Sequence, residues 1–248
     1  MLDAKRLLDQ FLGSQAGRGL AEKTGGGFDP SQLGDLARNL GDGLGSGSFG
    51  GGALAGGLAG ILLGSKKGRK LGGSALKIGG LALVGALAYK AYQDWQAGKR
   101  PMAASAPQSD AVLPPPGDTP FNPSTESEQQ SLGRHLLRAM IAAAKADGHI
   151  DAEEQANIFA EMDKLDLDAD DKAFVMDELR ARLDVDAVAK AARTPEEAAE
   201  IYTASLLAID IDNAAERGYL ALLAARLKLD DALVEHLHAT VEGATEKV

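Results

Sequence analysis

The chain has 248 residues, which is room for one or two domains, and it contains no cysteine. Disulfide bonds and thiolate metal sites are therefore excluded. The formal net charge of −10 is unevenly divided: residues 126–248 carry 27 acidic and 13 basic side chains, whereas residues 1–125 carry 9 acidic and 13 basic ones. An acidic second half argues against nucleic acid as a partner.

Residues 1–49 predict a short amphipathic helix followed by a glycine-rich linker. The helix covers Met1 to Leu12, and its apolar residues are Leu2, Leu7, Leu8, Phe11 and Leu12. A helix of this kind lies on a membrane surface, packs on a partner helix, or is unstable alone at this length, and the sequence leaves these three outcomes open. The linker that follows is rich in Gly, Ser and Asp and has few residues that could form a core.

Residues 50–97 form a segment rich in glycine and apolar residues. Glycine recurs at every fourth position from Gly52 to Gly72. On a helix this glycine zipper makes a stripe almost without side chains, along which a second helix can approach closely. The stripe therefore predicts self-association through the glycine face.

An apolar stretch in the same segment predicts a membrane span. Leu71 to Tyr89 gives 19 residues with one charge, Lys77, and a spanning helix needs about 20 apolar residues. The stretch from Lys66 to Arg100 has eight basic residues and one acidic residue, which suits an anionic membrane surface. The aromatic residues that follow the apolar run fit an interfacial belt; they are Tyr89, Tyr92 and Trp95.

Two alternatives to a single span stay open. In the first, Gly50–Gly64 and Leu71–Tyr89 form a hairpin with their glycine faces together. In the second, the whole segment is soluble or lies on a surface. Residues 98–128, which follow, hold most of the prolines, including Pro114–Pro116, and little that could pack. We interpret them as a stiff, solvated spacer and as the boundary of a separate C-terminal domain.

Residues 129–248 are helical almost throughout and predict one compact bundle of about seven helices, an all-α fold. The clearest helix start is Thr194-Pro195-Glu196-Glu197, with a cap, a proline at the first helical position and an acid at the third. The predicted helices cover residues 129–146, 151–165, 169–183, 185–192, 195–208, 214–227 and 232–241.

An acidic corner from Asp147 to Glu154 joins the first two helices of the bundle. Capping accounts for its residues, because Gly148 can end one helix while Asp151 and Glu154 have the spacing of a capping box at the start of the next. The alternative is an EF-hand loop. In that alignment positions 1 and 3 fall on Ala143 and Lys145, which cannot bind calcium.

The sequence MIAAAKADGHIDAEEQANIF, from Met140 to Phe159, resembles the signature of the TerB-like domains, named for tellurite resistance protein B. The chain as a whole resembles the YebE-type inner-membrane proteins of that group. The resemblance implies a bundle of about seven helices from roughly Ser131 onward, a single-pass anchor in the bacterial inner membrane, and a suspected divalent-cation site. Carried over by motif, the cation ligands would be Asp147, Asp151, Glu154, Asp210, Asp212 and Glu216.

The last three of these residues belong to an internal repeat. The pattern of an apolar helix, an acidic corner and a second helix occurs once around Asp147–Glu154 and again around Asp210–Glu216. The alternative interpretation is that all six are ordinary helix caps on a solvated acidic domain. No catalytic constellation is present, and His236 and His238 are two residues apart, so they cannot pair as zinc ligands on one helix face.

We therefore expect a membrane-anchored, non-enzymatic protein that binds a protein partner or a divalent cation in envelope or metal stress. On this interpretation the side of the membrane that holds the bundle, the ion and the partner are undetermined, and no other cofactor is expected. The alternative is a soluble metal-ion or tellurite-stress binding module whose glycine-rich half self-associates.

Overall fold

The computed structural model describes residues 3–12, 79–101, 115–117, 119–146 and 169–246. Every regular element in these ranges is an α-helix, which confirms the all-α fold class. The predicted helix over 151–165 and the glycine zipper lie outside the described residues. The helices are α1 (Ala4–Leu12), α2 (Gly80–Gln96), α3 (Glu126–Ala144), α4 (Ala169–Arg180), α5 (Val185–Lys190), α6 (Pro195–Ala208), α7 (Ala214–Leu227) and α8 (Asp231–Glu246).

The bundle is built around α6. All residues from Ala198 to Ala208 are buried, so this helix is covered on every side. Helices α2, α3, α7 and α8 pack against it. Such a pattern is typical of a helix in the interior of a bundle, because a surface helix keeps one polar face towards water.

The start of α6 confirms the capping prediction. The Thr194 side chain accepts a hydrogen bond from the Glu197 N–H at 3.2 Å, and Pro195 takes the first helical position. The Glu197 carboxylate accepts in turn from the Arg193 N–H at 2.7 Å. These bonds satisfy backbone donors that have no partner within the helix, which fixes where α6 begins.

Helix α2 contains the second half of the predicted membrane span, and it lies inside the bundle. It packs against α1, α6 and α8. The structure does not support the prediction of one span over Leu71–Tyr89 for residues 80–89, whose small and apolar side chains face these helices. Within the described ranges no helix combines the length and the apolar character needed to cross a membrane. The buried apolar residues of α2 are Leu81, Leu83, Val84, Ala86, Leu87, Ala88 and Ala91.

A short strap, residues 119–125, lies against α2. Phe121 of the strap is buried, and its ring lies 5.6 Å from that of Tyr89 and 5.5 Å from that of Tyr92. Tyr89 and Tyr92 therefore contact protein through the ring of Phe121. The strap belongs to the predicted spacer, and α2, which precedes the spacer, packs against helices that follow it.

Helix α1 packs on α3 and α2 of its own chain, which selects one of the three outcomes left open for it. Its buried apolar residues are Ala4, Leu7 and Leu8. The two backbones approach closely at Gly133 of α3, where a Cβ atom would lie 3.1 Å from the Ala4 carbonyl. The Asp3 N–H donates to the buried Asp171 carboxylate of α4 at 2.8 Å, which ties the start of the chain to a helix far along it.

Lys145, directly after α3, is buried and caps a neighbouring helix. Its Nζ donates to the backbone carbonyl of Glu178 at 2.9 Å and to that of Ala181, at the end of α4. A cation suits these carbonyls because the carboxyl end of a helix carries partial negative charge. The lysine that disqualified the EF-hand alignment thus has a structural role.

The closeness of α2 to the strap makes Gly85 intolerant of a larger side chain. A Cβ atom at Gly85 would lie 2.5 Å from the Phe121 carbonyl oxygen. We expect Gly85→Ala to lower the free energy of unfolding by about 1–3 kcal/mol, because the strap or α2 must shift.

The matched control is Gly218→Ala on α7, where nothing lies within 4 Å of the new Cβ. Alanine there should stabilise by up to about 1 kcal/mol, because it favours the helix more than glycine does. Denaturant unfolding of both variants measures the difference. Equal midpoints for Gly85→Ala and the wild type would show that α2 is not held beneath the strap.

Candidate functional site

The acidic corner before α7 contains the three predicted cation ligands that the structure describes. Oε2 of Glu216 accepts the N–H groups of Asp212 at 3.0 Å and Asn213 at 3.3 Å. The Asn213 side chain accepts the Glu216 N–H at 2.9 Å, which completes a capping box. Asp212 is exposed and Asp210 half-buried. Capping accounts for the position of the Glu216 carboxylate.

The other three predicted ligands, Asp147, Asp151 and Glu154, lie outside the described residues. Whether the two acidic corners meet on one face is therefore still a prediction. In the described ranges no three His, Cys, Asp or Glu side chains are grouped closely enough to hold a metal ion.

A cleft of about 420 Å³ lies where the end of α2 meets two helix corners. One corner is the turn between α5 and α6, and the other is the turn between α7 and α8. A volume of this size is in the range of small-ligand and side-chain pockets. The cleft is lined by Tyr92, Trp95, Ala189, Ala192, Arg193, Thr194, Pro195, Ala198, Arg226, Leu227, Lys228, Leu229, Asp230 and Leu233.

The apolar wall of the cleft comes from α2. Tyr92 and Trp95 are both half-buried, with ring centroids 5.3 Å apart. Ala198 of α6 and Leu233 of α8 are buried and form part of the cleft's lining. Aromatic rings with one face packed and one face open are typical of binding surfaces, because they offer a large apolar area at low cost in conformational entropy.

The polar lining of the cleft is mainly cationic. Arg193 lies in the turn before α6, Arg226 in the last turn of α7, and Lys228 directly after α7. Among the lining residues, Asp230 carries the one acidic side chain, and its Oδ1 accepts the Ala232 N–H at 2.9 Å. The lining of the cleft is therefore more cationic than the chain as a whole, whose net charge is −10.

The two corners are held in place by their own hydrogen bonds. Thr194 caps α6, and Asp230 bonds to the backbone at the start of α8. An ion pair between Arg226 and Asp186 joins α7 to α5, and both partners are about half exposed. The pair contributes at most about 1 kcal/mol in water, so its clearer effect is to hold the Arg226 guanidinium at the rim of the cleft.

Lys228 has a backbone conformation that favours glycine. Its φ of 57° and ψ of 36° are left-handed, and no other non-glycine residue in the described ranges has positive φ. The Leu229 N–H donates to the Ala224 carbonyl at 3.1 Å and closes the end of α7, as glycine usually allows. A side chain costs roughly 1–2 kcal/mol here, and such residues cluster at functional sites.

The two histidines of α8 have separate partners, as their spacing predicted. Nε2 of His236 lies 3.0 Å from the Lys99 carbonyl oxygen, just past α2. Nε2 of His238 lies 2.9 Å from the Tyr202 hydroxyl of α6, and burial raises the pKa of Tyr202 to about 12. Both contacts join α8 to the rest of the bundle.

A carboxyl group is buried in the core beside the strap. Neither oxygen of Glu200 has a hydrogen-bond partner in the described part of the chain. Its Oε1 would lie 3.2 Å from a Cβ at Gly85, next to the Phe121 carbonyl. Burial, followed by the negative charges of Glu197 and Glu196, raises the pKa of Glu200 well above its ordinary value. The protonated form is therefore favoured in the folded protein.

Sequence reasoning did not identify the cleft. Its wall and its rim come from segments that are far apart in the chain, so no local spacing links them. Two local signals were present. Trp95 is the single tryptophan of the chain, and Lys228 occupies the position after a helix where glycine is usual.

Comparison with known proteins identifies a family whose sequence model spans α2 to α8 but does not include α1. The sequence model of the family described as "Protein of unknown function (DUF533)" matches residues 48–241, which covers α2 through most of α8. A relative from Yersinia enterocolitica, described as "Uncharacterized protein in ampR 5'region", is 33% identical over 96 residues, or 39% of this chain and 69% of the relative. No solved structure matches the chain.

The buried Glu200 predicts that stability falls as pH rises. The folded protein holds the Glu200 proton to a higher pH than the unfolded chain, whose value is near 4.5. The contribution of Glu200 to the free energy of unfolding is fully present below the pKa of the unfolded chain. Above that pKa it decreases by at most about 1.4 kcal/mol per pH unit. Glu200→Gln cannot ionise, so we expect its melting temperature to exceed that of the wild type by more at about pH 8 than at about pH 5.

Thermal melting over this pH range measures the effect, with the exposed Glu235→Gln as the control. The control should differ from the wild type by a constant amount. A difference for Glu200→Gln that does not change with pH would mean that the Glu200 carboxyl is not kept neutral by the core.

Proposed function

Given that the chain belongs to the DUF533 family, a TerB-like family, we propose that it is a non-enzymatic binding module and that the cleft is its binding site. The observation that carries the proposal is the cleft itself, which combines two half-buried aromatic rings with three cationic side chains. Trp, Tyr and Arg are the residue types that contribute most to binding energy at protein interfaces.

The support of the cleft is consistent with a binding role. Caps at Thr194 and Asp230, together with the His236 contact to the Lys99 carbonyl, fix the elements around it. A site that is already ordered loses less conformational entropy when a partner binds. This proposal also explains the free-energy cost of the left-handed backbone at Lys228, because that conformation places a cationic side chain at the rim of the cleft.

Site-specific photo-crosslinking in cells tests the proposed site. A photo-reactive residue at Ala225, exposed and next to Arg226, should form an adduct with a bound protein. The same residue at Ala215 is the control, because it is exposed on the same helix but about 15 Å away along the axis. Adding Trp95→Ala to the Ala225 variant should remove the adduct. Adducts at both positions, or at neither, would contradict the cleft as the binding site.

Divalent-cation binding, implied by the TerB-like resemblance, is the second candidate function. Its six residues are the acidic side chains Asp147, Asp151, Glu154, Asp210, Asp212 and Glu216. On this proposal Ca²⁺, Mg²⁺, Mn²⁺ or Zn²⁺ raises the melting temperature of the full chain, because a ligand that binds the folded state stabilises it. The shift should be lost when Asp147→Asn and Asp210→Asn are combined. No shift with any ion in the wild type would leave the corners as helix caps.

Membrane anchoring, expected from the resemblance to YebE-type inner-membrane proteins, also stays a proposal. It now rests on residues 50–78, outside the described ranges, since residues 80–89 lie in the bundle. Retention of the full chain in membranes after carbonate extraction would support it. Release into the supernatant would favour the soluble alternative, in which the glycine-rich half self-associates.

A further inference from the structure

The cleft is open at its surface. Only Ala198 and Leu233 among its lining residues are buried, and both aromatic rings of the wall are half-exposed. An acyl chain or a cofactor is usually enclosed on most sides by its pocket. An open groove with an apolar floor suits one or two side chains that project into it from a peptide.

The charges at the cleft indicate the chemistry of that peptide. Arg193 lies at one corner, and Arg226 and Lys228 lie at the other. Arg226 is already paired with Asp186 at the rim, so a bound carboxylate would share its guanidinium, and one lining residue, Asp230, is acidic. Arginine and lysine on two sides of an apolar floor match carboxylates that flank an apolar anchor.

Lys228 is an independent observation that points to the same surface. The helix end would be satisfied more easily by glycine, yet a cationic side chain occupies the left-handed position and lines the cleft. A residue that departs from the usual choice at its position, with no gain in stability, is expected where function requires that residue.

On the basis of the proposed binding function, we propose that the cleft binds an acidic segment of a partner protein. An aromatic or aliphatic side chain of the segment inserts between Tyr92, Trp95 and Leu233. Aspartate or glutamate side chains on either side of this anchor pair with Arg193, Arg226 and Lys228. Nucleic acid is disfavoured as the occupant, because the acidic surface of residues 126–248 repels an extended polyanion.

Trp95 provides a direct probe, because it is the one tryptophan in the chain and lines the cleft. The full chain is titrated with a short peptide that has a Phe-Leu anchor flanked by Asp and Glu and contains no Trp or Tyr. We expect a saturable change in tryptophan emission. A matched peptide with Asn and Gln in place of the acids should bind at least about tenfold more weakly. Added salt should weaken binding of the acidic peptide.

Variants at Lys228 separate charge from structure. Lys228→Gly and Lys228→Ala should each lower the affinity for the acidic peptide about two- to fivefold, as expected for the loss of one exposed charge pair. Lys228→Gly alone should also raise the melting temperature, because glycine relieves the left-handed strain. Arg182→Ala, which removes an exposed cation outside the cleft, is the control and should bind like the wild type.

Vesicles containing phosphatidylglycerol are titrated in parallel. Emission changes with vesicles and not with the peptide would overturn the proposal and make the cleft a lipid contact. Equal binding of the acidic and amide peptides would also overturn it, since the rim charges would then have no role. If the crosslink at Ala225 forms while the acidic peptide causes no change, the cleft is the binding site but its ligand is of another class.

Discussion

The complete burial of α6 is the constraint on which the rest of this structure depends. The residues from Ala198 to Ala208 are inaccessible to solvent on every side, so each face of the helix requires a neighbour. Helices α3, α7 and α8 cover part of the surface, and α2 covers the rest, with Gly85 set against Glu200. Without α2 the buried carboxyl group would face water. Helix α2 is therefore a structural part of the bundle, even though a proline-rich stretch separates it in sequence from α3.

Local signals predicted the helices that depend on local chemistry. The bounds of α6 and α7 agree with the sequence prediction to the residue, and Thr194 and Pro195 mark the start of α6 locally. The environment of α2 could not be predicted in the same way. A helix without a polar face looks alike whether lipid or protein surrounds it. Only the partner surfaces of α6 and α8, more than a hundred residues later, distinguish the two.

The two candidate sites, the acidic corner and the cleft, differ in how much of each could be predicted from the sequence. The acidic corner was found from its spacing, but the same residues suit a cap and a cation, and Glu216 takes part in a capping box. The cleft shows the opposite difficulty. Its parts carry no shared motif, and the meaning of Lys228 emerges only once the end of α7 and its left-handed backbone are known. On the proposed function, Lys228, which departs from the usual residue choice at a helix end, indicates a site more clearly than the capping residues of the acidic corner do.

The packing of α2 against α6 and α8 also has a consequence for synthesis of the chain. At roughly 5–20 residues per second, α2 leaves the ribosome on the order of ten seconds before α6 has been made. Throughout that interval the side chains of α2 that later pack against α6 and α8 lack these two partners. The nascent chain thus displays to chaperones and membranes an apolar surface that the finished protein hides. The segment whose sequence resembles a membrane span is thus exposed early in synthesis, before the later helices of the bundle have been made to cover it.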